Sequence, residues 1–494
     1  MRTSTNLSVI LLAATAALVS QSSGAPIDPE QPWQQHIAKR VQQVASTYPV
    51  DYRSNVSDYS LFQIFQNQGE LPQPMRGNIG STNLGPDNTE ISRQNPDTFA
   101  PPSTDHGTIP QAKWPFALSH NRLQTGGWAR QQNVDVLPVA TELAAVNMRL
   151  DKGAFREMHW HSAAEWAYVL EGTTRVAAVD PDGKNYVADV EAGNLWYFPA
   201  GTPHSLQGVS DNGTEFLLVF DDGSFSEDST LLLTDWMAHI PREVIAKNFG
   251  QADLSTSAFD RFPSQELYIF PGQVDNSTNG TSAVDSPQGH RTEQPFTYDL
   301  NSQAVTQFNG GSVKVVDSSK FAVSKTIAAA LVTIQPGAIR ELHWHPNSPE
   351  WDYFIKGHAR ITIFAGQNNA RTYDFQAGDT AYISEQNGHY IENIGDTDVQ
   401  YLEIFKTDTY KDVSLSNWLA LTPPNVVQAH LGFSNHDMDK LYSTFKTKDH
   451  VVTQQPSGPN AGNGNPVLPP AKSEQVAATG LHKRSSAGGK ISFY

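Results

Sequence analysis

Short apolar runs broken by turn residues dominate the middle of the chain. Glu165-Trp166-Ala167-Tyr168-Val169-Leu170 leads through Gly172 to a second run over 174–179, and Pro181-Asp182-Gly183-Lys184 closes the pair as a hairpin signal. The same scheme returns over 351–355, at Gly357 and over 359–364. Many short strands at regular spacing predict an all-β barrel or double-sheet jelly roll. Short helices are expected after each set, around 231–249 and 415–430.

The two sets are copies of one pattern. Gly126-Gly127 recurs as Gly310-Gly311 and Gly153 as Gly337, each at an offset of 184. Glu165 recurs as Glu350, His204 as His389 and Phe220 as Phe405, each at 185. A fixed offset held over so many landmarks means a duplicated domain. The reading is therefore two tandem barrels, over 111–255 and 291–440, joined by a polar linker over 256–290. An extended arm over 25–110, with one helix expected over 34–46, precedes them, and a low-complexity tail over 441–494 follows.

Composition narrows the chemistry. Thirty-five Gly and 31 Pro among 494 residues fit a turn-rich β protein. With no Cys, disulfides, thiolate nucleophiles and Cys-bound metals are excluded, so any metal must be held by His, Asp or Glu. A formal charge of −17 argues against nucleic acid, whose phosphates need a basic surface. Met1-Arg2, an apolar run over 7–19 and small residues to Ala25 read as a signal peptide over 1–24. That run is too short to span a bilayer, so the expectation is no membrane and a secreted, extracellular or cell-wall-associated protein. Acceptor sequons at Asn55, Asn212, Asn276 and Asn279 fit a glycoprotein on that route.

Each copy carries one metal-ligand pattern. The first has Gly153, His159-x-His161, Glu165 and Gly172, then Gly193, Pro199-x-Gly201 and His204. The second has Gly337, His343-x-His345, Glu350 and Gly357, then Gly378 and His389. Residues i and i+2 of a strand share a face, so each His-x-His pair projects into its barrel together. Three imidazoles and a carboxylate suit Mn, Fe, Ni, Cu or Zn and leave coordination positions open. The second copy has Ser384 and Gln386 where the first has Pro199 and Gly201, which puts its turn geometry in question.

These spacings resemble the two motifs of the cupin superfamily. Arg156-Glu157-Met158-His159-Trp160-His161 and Arg340-Glu341-Leu342-His343-Trp344-His345, with the residues around them, resemble the paired motifs of bicupin oxalate decarboxylases, in particular the secreted fungal form. The likeness covers about 90–435. It implies two manganese ions per chain, one at His159, His161, Glu165 and His204, the other at His343, His345, Glu350 and His389, with dioxygen as co-catalyst. It also implies that Arg156 and Arg340 each pair with a carboxylate of oxalate, which the planar guanidinium fork suits. Each Arg stands three residues before its first His, so a bulge must turn it to the same face.

The copies differ in their extra carboxylates. Glu392 lies three residues after His389, where the first copy has Gln207, and is expected as a proton-transfer group of the second site. Phe220 to Trp236 spans 16 positions but Phe405 to Trp418 only 13, and the longer loop holds Ser226-Glu227-Asp228-Ser229. That loop resembles the mobile lid of oxalate decarboxylases, whose Glu transfers the proton and whose usual Asn is here Asp228. The implied reaction turns oxalate and a proton into formate and CO2, with most turnover in the first barrel. An oxalate oxidase, releasing CO2 and hydrogen peroxide, would need no proton donor on the lid. A storage or binding bicupin could dispense with ligands that this chain keeps in full. Cupin domains often assemble, which leaves a homo-oligomer open.

Overall fold

The computed structural model describes residues 85–99, 101–102, 104–250, 261–275 and 290–445, with the short backbone pairs Met75–Arg76, Ile79–Gly80 and Thr453–Gln454. The segment read as a signal peptide, the helix expected over 34–46 and most of the linker and tail lie outside the described residues.

In the first barrel β1 (Lys113–Pro115), β2 (Asn121–Gln124), β3 (Gly127–Gln132) and β4 (Ala144–Leu150) lead to β5 (Phe155–Trp160) and β6 (Glu165–Val179). Then come β7 (Lys184–Glu191), β8 (Leu195–Phe198), β9 (His204–Gly208) and β10 (Thr214–Phe220). The two runs read at 165–170 and 174–179 are one strand. Its first half pairs with β8 and β10, and its second half with β7 and β9. Gly172, at φ +76, makes the bend, and a Cβ there would meet the Gly213 carbonyl at 2.2 Å. One bent strand thus belongs to both sheets and folds them over a core that includes Met148, Val176, Leu206 and Phe216.

The second barrel repeats this. β15 (Gly311–Val316), β16 (Ala328–Ile334), β18 (Glu350–Lys356), β21 (Asp379–Ile383) and β23 (Val399–Phe405) form one sheet. β17 (Ala338–Trp344), β19 (His358–Phe364), β20 (Ala370–Gln376) and β22 (Gly388–Asn393) form the other. The turn before β22 keeps its shape without Gly: Gln386 takes φ +66 and donates to the His345 carbonyl at 3.2 Å, as Gly201 at φ +78 does to His161 at 2.9 Å.

The leading strands are exchanged. β1 pairs with β21 of the second barrel, while β13 (Thr297–Tyr298) pairs with β8 of the first. The arm follows β1 onto the second barrel: Asp97, in α2 (Pro96–Phe99) after α1 (Thr89–Gln94), meets Arg360 at 3.1 Å, and Lys113 meets Asp379 at 3.0 Å. Apolar packing is continuous between the barrels, and the Trp351 indole donates to Gln132 at 2.6 Å across the boundary.

The helix after each barrel is broken in two. α3 (Leu233–Ala238) and α4 (Arg242–Asn248) divide at Pro241, α5 (Leu415–Leu421) and α6 (Pro424–Leu431) at Pro423. Proline has no N–H to continue a helix and suits a new first turn. A further helix, α7 (Asn435–Thr444), starts on a capping box between Ser434 and Asp437.

Candidate metal centres

The first four ligands come from strand ends that face one another. His159 is on β5 and His161 just past it, Glu165 opens β6 and His204 opens β9, opposite His159 in register. One ligand atom from each lies within 4.8 Å of the others, and all four side chains are buried. Each imidazole is oriented from behind. His159 Nδ1 faces the Glu157 carbonyl at 2.5 Å, His161 Nδ1 that of Ala163 at 2.6 Å, and His204 Nδ1 that of Thr202 at 2.8 Å. A proton on each Nδ1 satisfies these carbonyls and leaves Nε2 as a lone pair turned inward. The Trp196 indole donates to Glu165 Oε1 at 2.8 Å, and Oε2 faces the Nε2 atoms of His161 at 3.2 Å and His204 at 3.4 Å.

The second set is built alike. His343, His345, Glu350 and His389 bring their ligand atoms within 4.8 Å of one another. The Nδ1 atoms face the carbonyls of Glu341, Lys411 and Asn387 at 2.7, 2.7 and 3.0 Å. Glu350 Oε2 stands 3.0 Å from His345 and 2.8 Å from His389.

Both sets fit a cation. His204 Nε2 and the Nε2 atoms of His343, His345 and His389 are buried with no hydrogen-bond partner, which is costly for polar atoms unless something binds there. Burial, then the charge of Arg156, holds the His159 imidazole well below its usual range. Burial, then Arg340, does the same for His343. Burial opposes ionisation of Glu165, but the imidazoles of His204 and His161 outweigh it and hold its carboxyl well below the usual range. In the second set burial opposes protonation of His345, but Glu350 outweighs it and raises that imidazole. A cation bound between them would take the place of that proton, since imidazole nitrogens beside carboxylates are a donor set that suits a divalent metal.

The bulge that Arg156 and Arg340 need is present twice. On β5 three steps from His159 to Arg156 match two on β9 from His204 to Leu206. On β17 three steps from His343 to Arg340 match two on β22 from His389 to Ile391. Each Arg thereby reaches the interior, 1% exposed or less. Their partners differ. Arg156 Nη2 donates to Glu227 Oε2 at 2.7 Å, while its buried Nε and Nη1 have no hydrogen-bond partner. Arg340 Nε meets Glu403 at 3.3 Å, and its Nη2 donates to the Tyr410 hydroxyl at 2.9 Å and Asp412 at 2.8 Å.

Glu227 opens a 3₁₀ turn over Glu227–Ser229 capped by Ser226. It is 8% exposed, and its backbone N–H donates to Gln131 Oε1 at 3.0 Å. With Arg122, Arg130, Gln131, Asp228 and Tyr268 it lines a cavity of about 410 Å³, whose wall includes none of the four ligands. The Arg156 guanidinium packs on the Tyr268 ring at 4.3 Å.

Glu392 is not brought to the second set. His389, Ile391 and Asn393 face inward on β22 without a bulge, so Glu392 stands on the outer face opposite Arg360. Its odd spacing from His389 already carried that information. The acids that do approach this centre are Glu403 and Asp352, both fully buried. Burial, reinforced by neighbouring carboxylates, pushes both carboxyls up. At the 185-residue offset their counterparts are Leu218 and Ala167, so comparing the copies would have revealed them. Tyr268 was missed because it lies in the segment read as a polar linker, where Tyr268-Ile269-Phe270 is the sequence signal of a short strand.

The cupin family matches over residues 118–254 and 298–439. The chain is 52% identical to the oxalate decarboxylase OxdC of Bacillus subtilis over 79% of its length and 99% of the relative's. It is 41% identical to a probable oxalate decarboxylase of Arthroderma benhamiae over 78% of this chain and 95% of the relative. A structure of B. subtilis oxalate decarboxylase described by its Mn(II) centres superposes with TM-score 0.74 at 49% identity, covering 78% of this chain and all of that one.

Proposed function

The chain belongs to the cupin family and, within it, to the two-barrel oxalate decarboxylases, and we propose on that premise that it converts oxalate and a proton to formate and CO2 in its first barrel. The observation that carries the assignment to that barrel is the contact between Arg156 and Glu227, a substrate-binding fork and a proton carrier held together under a short loop.

Manganese, when held by His159, His161, Glu165 and His204, supplies positive charge and a template for oxalate. A carboxylate fork on Arg156 pairs Nη2 with one of its unpartnered nitrogens, Nε or Nη1, so oxalate taking that fork displaces Glu227 from Nη2. Glu227 takes the proton of hydrogen oxalate and, after CO2 has left, returns it to carbon, as a general base and then a general acid. The 3₁₀ turn that carries Glu227 acts as a lid, closing over the substrate and excluding water and oxidants. Hydrogen oxalate brings its own proton, so activity is highest below neutrality and falls as the monoanion disappears.

The second manganese belongs to His343, His345, Glu350 and His389. Arg340 is already engaged by Glu403, Tyr410 and Asp412, which supports a lesser share of turnover there. Dioxygen is kept as co-catalyst on family resemblance alone, and assay under argon tests it.

Secretion rests on the N-terminal apolar run and the sequons. Among the described residues no helix is long and apolar enough to cross a membrane. A homo-oligomer is supported by apolar residues left exposed on the helices after each barrel, Trp236 at 55%, Trp418 at 57% and Leu421 at 75%. The deciding experiment measures formate and peroxide together on oxalate. Formate without stoichiometric peroxide supports the decarboxylase; peroxide with CO2 and no formate establishes the oxidase; neither product, with metal absent, leaves a binding bicupin.

A further inference from the structure

Arg122, on β2, sits where three separate segments meet. Its guanidinium packs on the Tyr268 ring at 3.7 Å, beside the contact that ring makes with Arg156. Nη1 reaches Asp228 of the lid at 3.3 Å, and Nη2 pairs with Glu266. The platform beneath it is fixed. Tyr268 is 1% exposed and takes φ +55, and Glu157 accepts the backbone N–H groups of Leu267 at 2.9 Å and Tyr268 at 2.8 Å. Arg122 is therefore anchored on its barrel side and holds the lid on the other.

The lid is gripped twice. The inner grip, Glu227 to Arg156, is buried and must open when oxalate takes Arg156. The outer grip, Asp228 to Arg122, joins side chains 80% and 25% exposed, and oxalate need not touch it. Once substrate has displaced the inner contact, the outer ion pair still favours closure. An Asn at position 228 could accept a hydrogen bond but would carry no charge.

We propose that Arg122 is a positioning residue of the lid, acting through Asp228 as an outer latch that sets the balance between open and closed forms. The latch rests on the reading of Glu227 and its loop given above. In the free enzyme it lowers the fraction open to oxalate and raises KM accordingly. In the complex it shields the decarboxylated fragment until Glu227 has protonated it. An exposed ion pair supplies a factor of about two to five, which salt screens.

The test uses manganese-loaded full-length enzyme, with Asp228→Asn, Arg122→Gln and the double variant, all matched for metal content. Each single variant should lower KM for oxalate and raise the peroxide share of product, both by about two- to fivefold. The double variant should go no further than either single one. The difference in KM between wild type and Asp228→Asn should shrink as KCl is raised. Because Arg122 also packs on Tyr268, Asp228→Asn carries the test if Arg122→Gln fails to fold. Unchanged KM and peroxide share in Asp228→Asn, single effects that add in the double variant, or a difference insensitive to KCl overturn the latch alone. A wild type that makes no formate overturns the reading beneath it, and the latch with it.

Discussion

Arg156 and Glu227, 71 residues apart in sequence, meet at 2.7 Å with side chains 1% and 8% exposed. The contact joins a barrel strand to the loop proposed as the lid, and on that reading one movement both frees Arg156 and carries the carboxyl. Glu227→Gln keeps shape and loses the ionisable group. Removing a general acid–base group costs about 10²–10⁴-fold in rate. Formate production should fall by that order while both manganese ions stay bound, and peroxide should become a larger share of the product. Nearly full formate turnover by Glu227→Gln would move the chemistry elsewhere.

Arg340 should behave differently. Its fork is spent on Glu403, Asp412 and Tyr410, with Arg340 and Glu403 fully buried. Arg340→Met leaves these acids without their cation, and breaking a buried pair costs about 3–5 kcal/mol. Denaturant unfolding should register a loss of that order, and formate turnover per remaining first-site manganese should change much less. An equally stable Arg340→Met without activity would instead make Arg340 a substrate group.

The two ligand sets are separate in space and sequence, so their metal should be lost separately. Wild type should carry up to two manganese ions per chain. His159→Ala and His343→Ala should each remove about one, read by elemental analysis of the purified protein. Less than about a tenth of an ion per chain after expression with manganese would end the assignment, since imidazole–carboxylate sets of this kind otherwise retain a divalent metal.

What was legible in the sequence was whatever repeats or alternates. The offset of 185 and the His-x-His spacing picked out the eight residues that the fold gathers into two candidate metal sets, because strand geometry turns a period of two into a shared face. Spacing also required the bulge at Arg156 and Arg340, since odd separation and a common face are incompatible in a regular strand. The exchange of β1 and β13 was hidden, because a strand's sequence does not name the sheet that receives it. The short helices expected after each barrel are there, and Pro241 and Pro423 mark where each stretch divides. Glu392 was misplaced for want of the parity argument applied to the two arginines.

That residue supplies the remaining prediction. On the outer face of β22 Glu392 stands opposite Arg360, which also holds Asp374 at 2.7 Å and Asp97 of the arm at 3.1 Å. One guanidinium thus serves three carboxylates. Burial, with Asp374 adding to it and Arg360 opposing, raises the Glu392 carboxyl above its ordinary value of 4.5. A raised acid binds its proton more tightly in the folded chain than in the unfolded one. Its stabilising contribution is therefore complete below about 4.5 and is lost as pH rises through the raised value. Glu392→Gln cannot titrate and should flatten this dependence. Relative to wild type, the variant should be more stable at pH 7 than at pH 4 by thermal or denaturant unfolding. Its formate turnover per manganese should match wild type, because Ile391 and the sheet separate it from the ligands. A pH dependence identical in the two proteins would show that the carboxyl does not titrate differently on folding. Lost turnover with metal intact would return Glu392 to the second site.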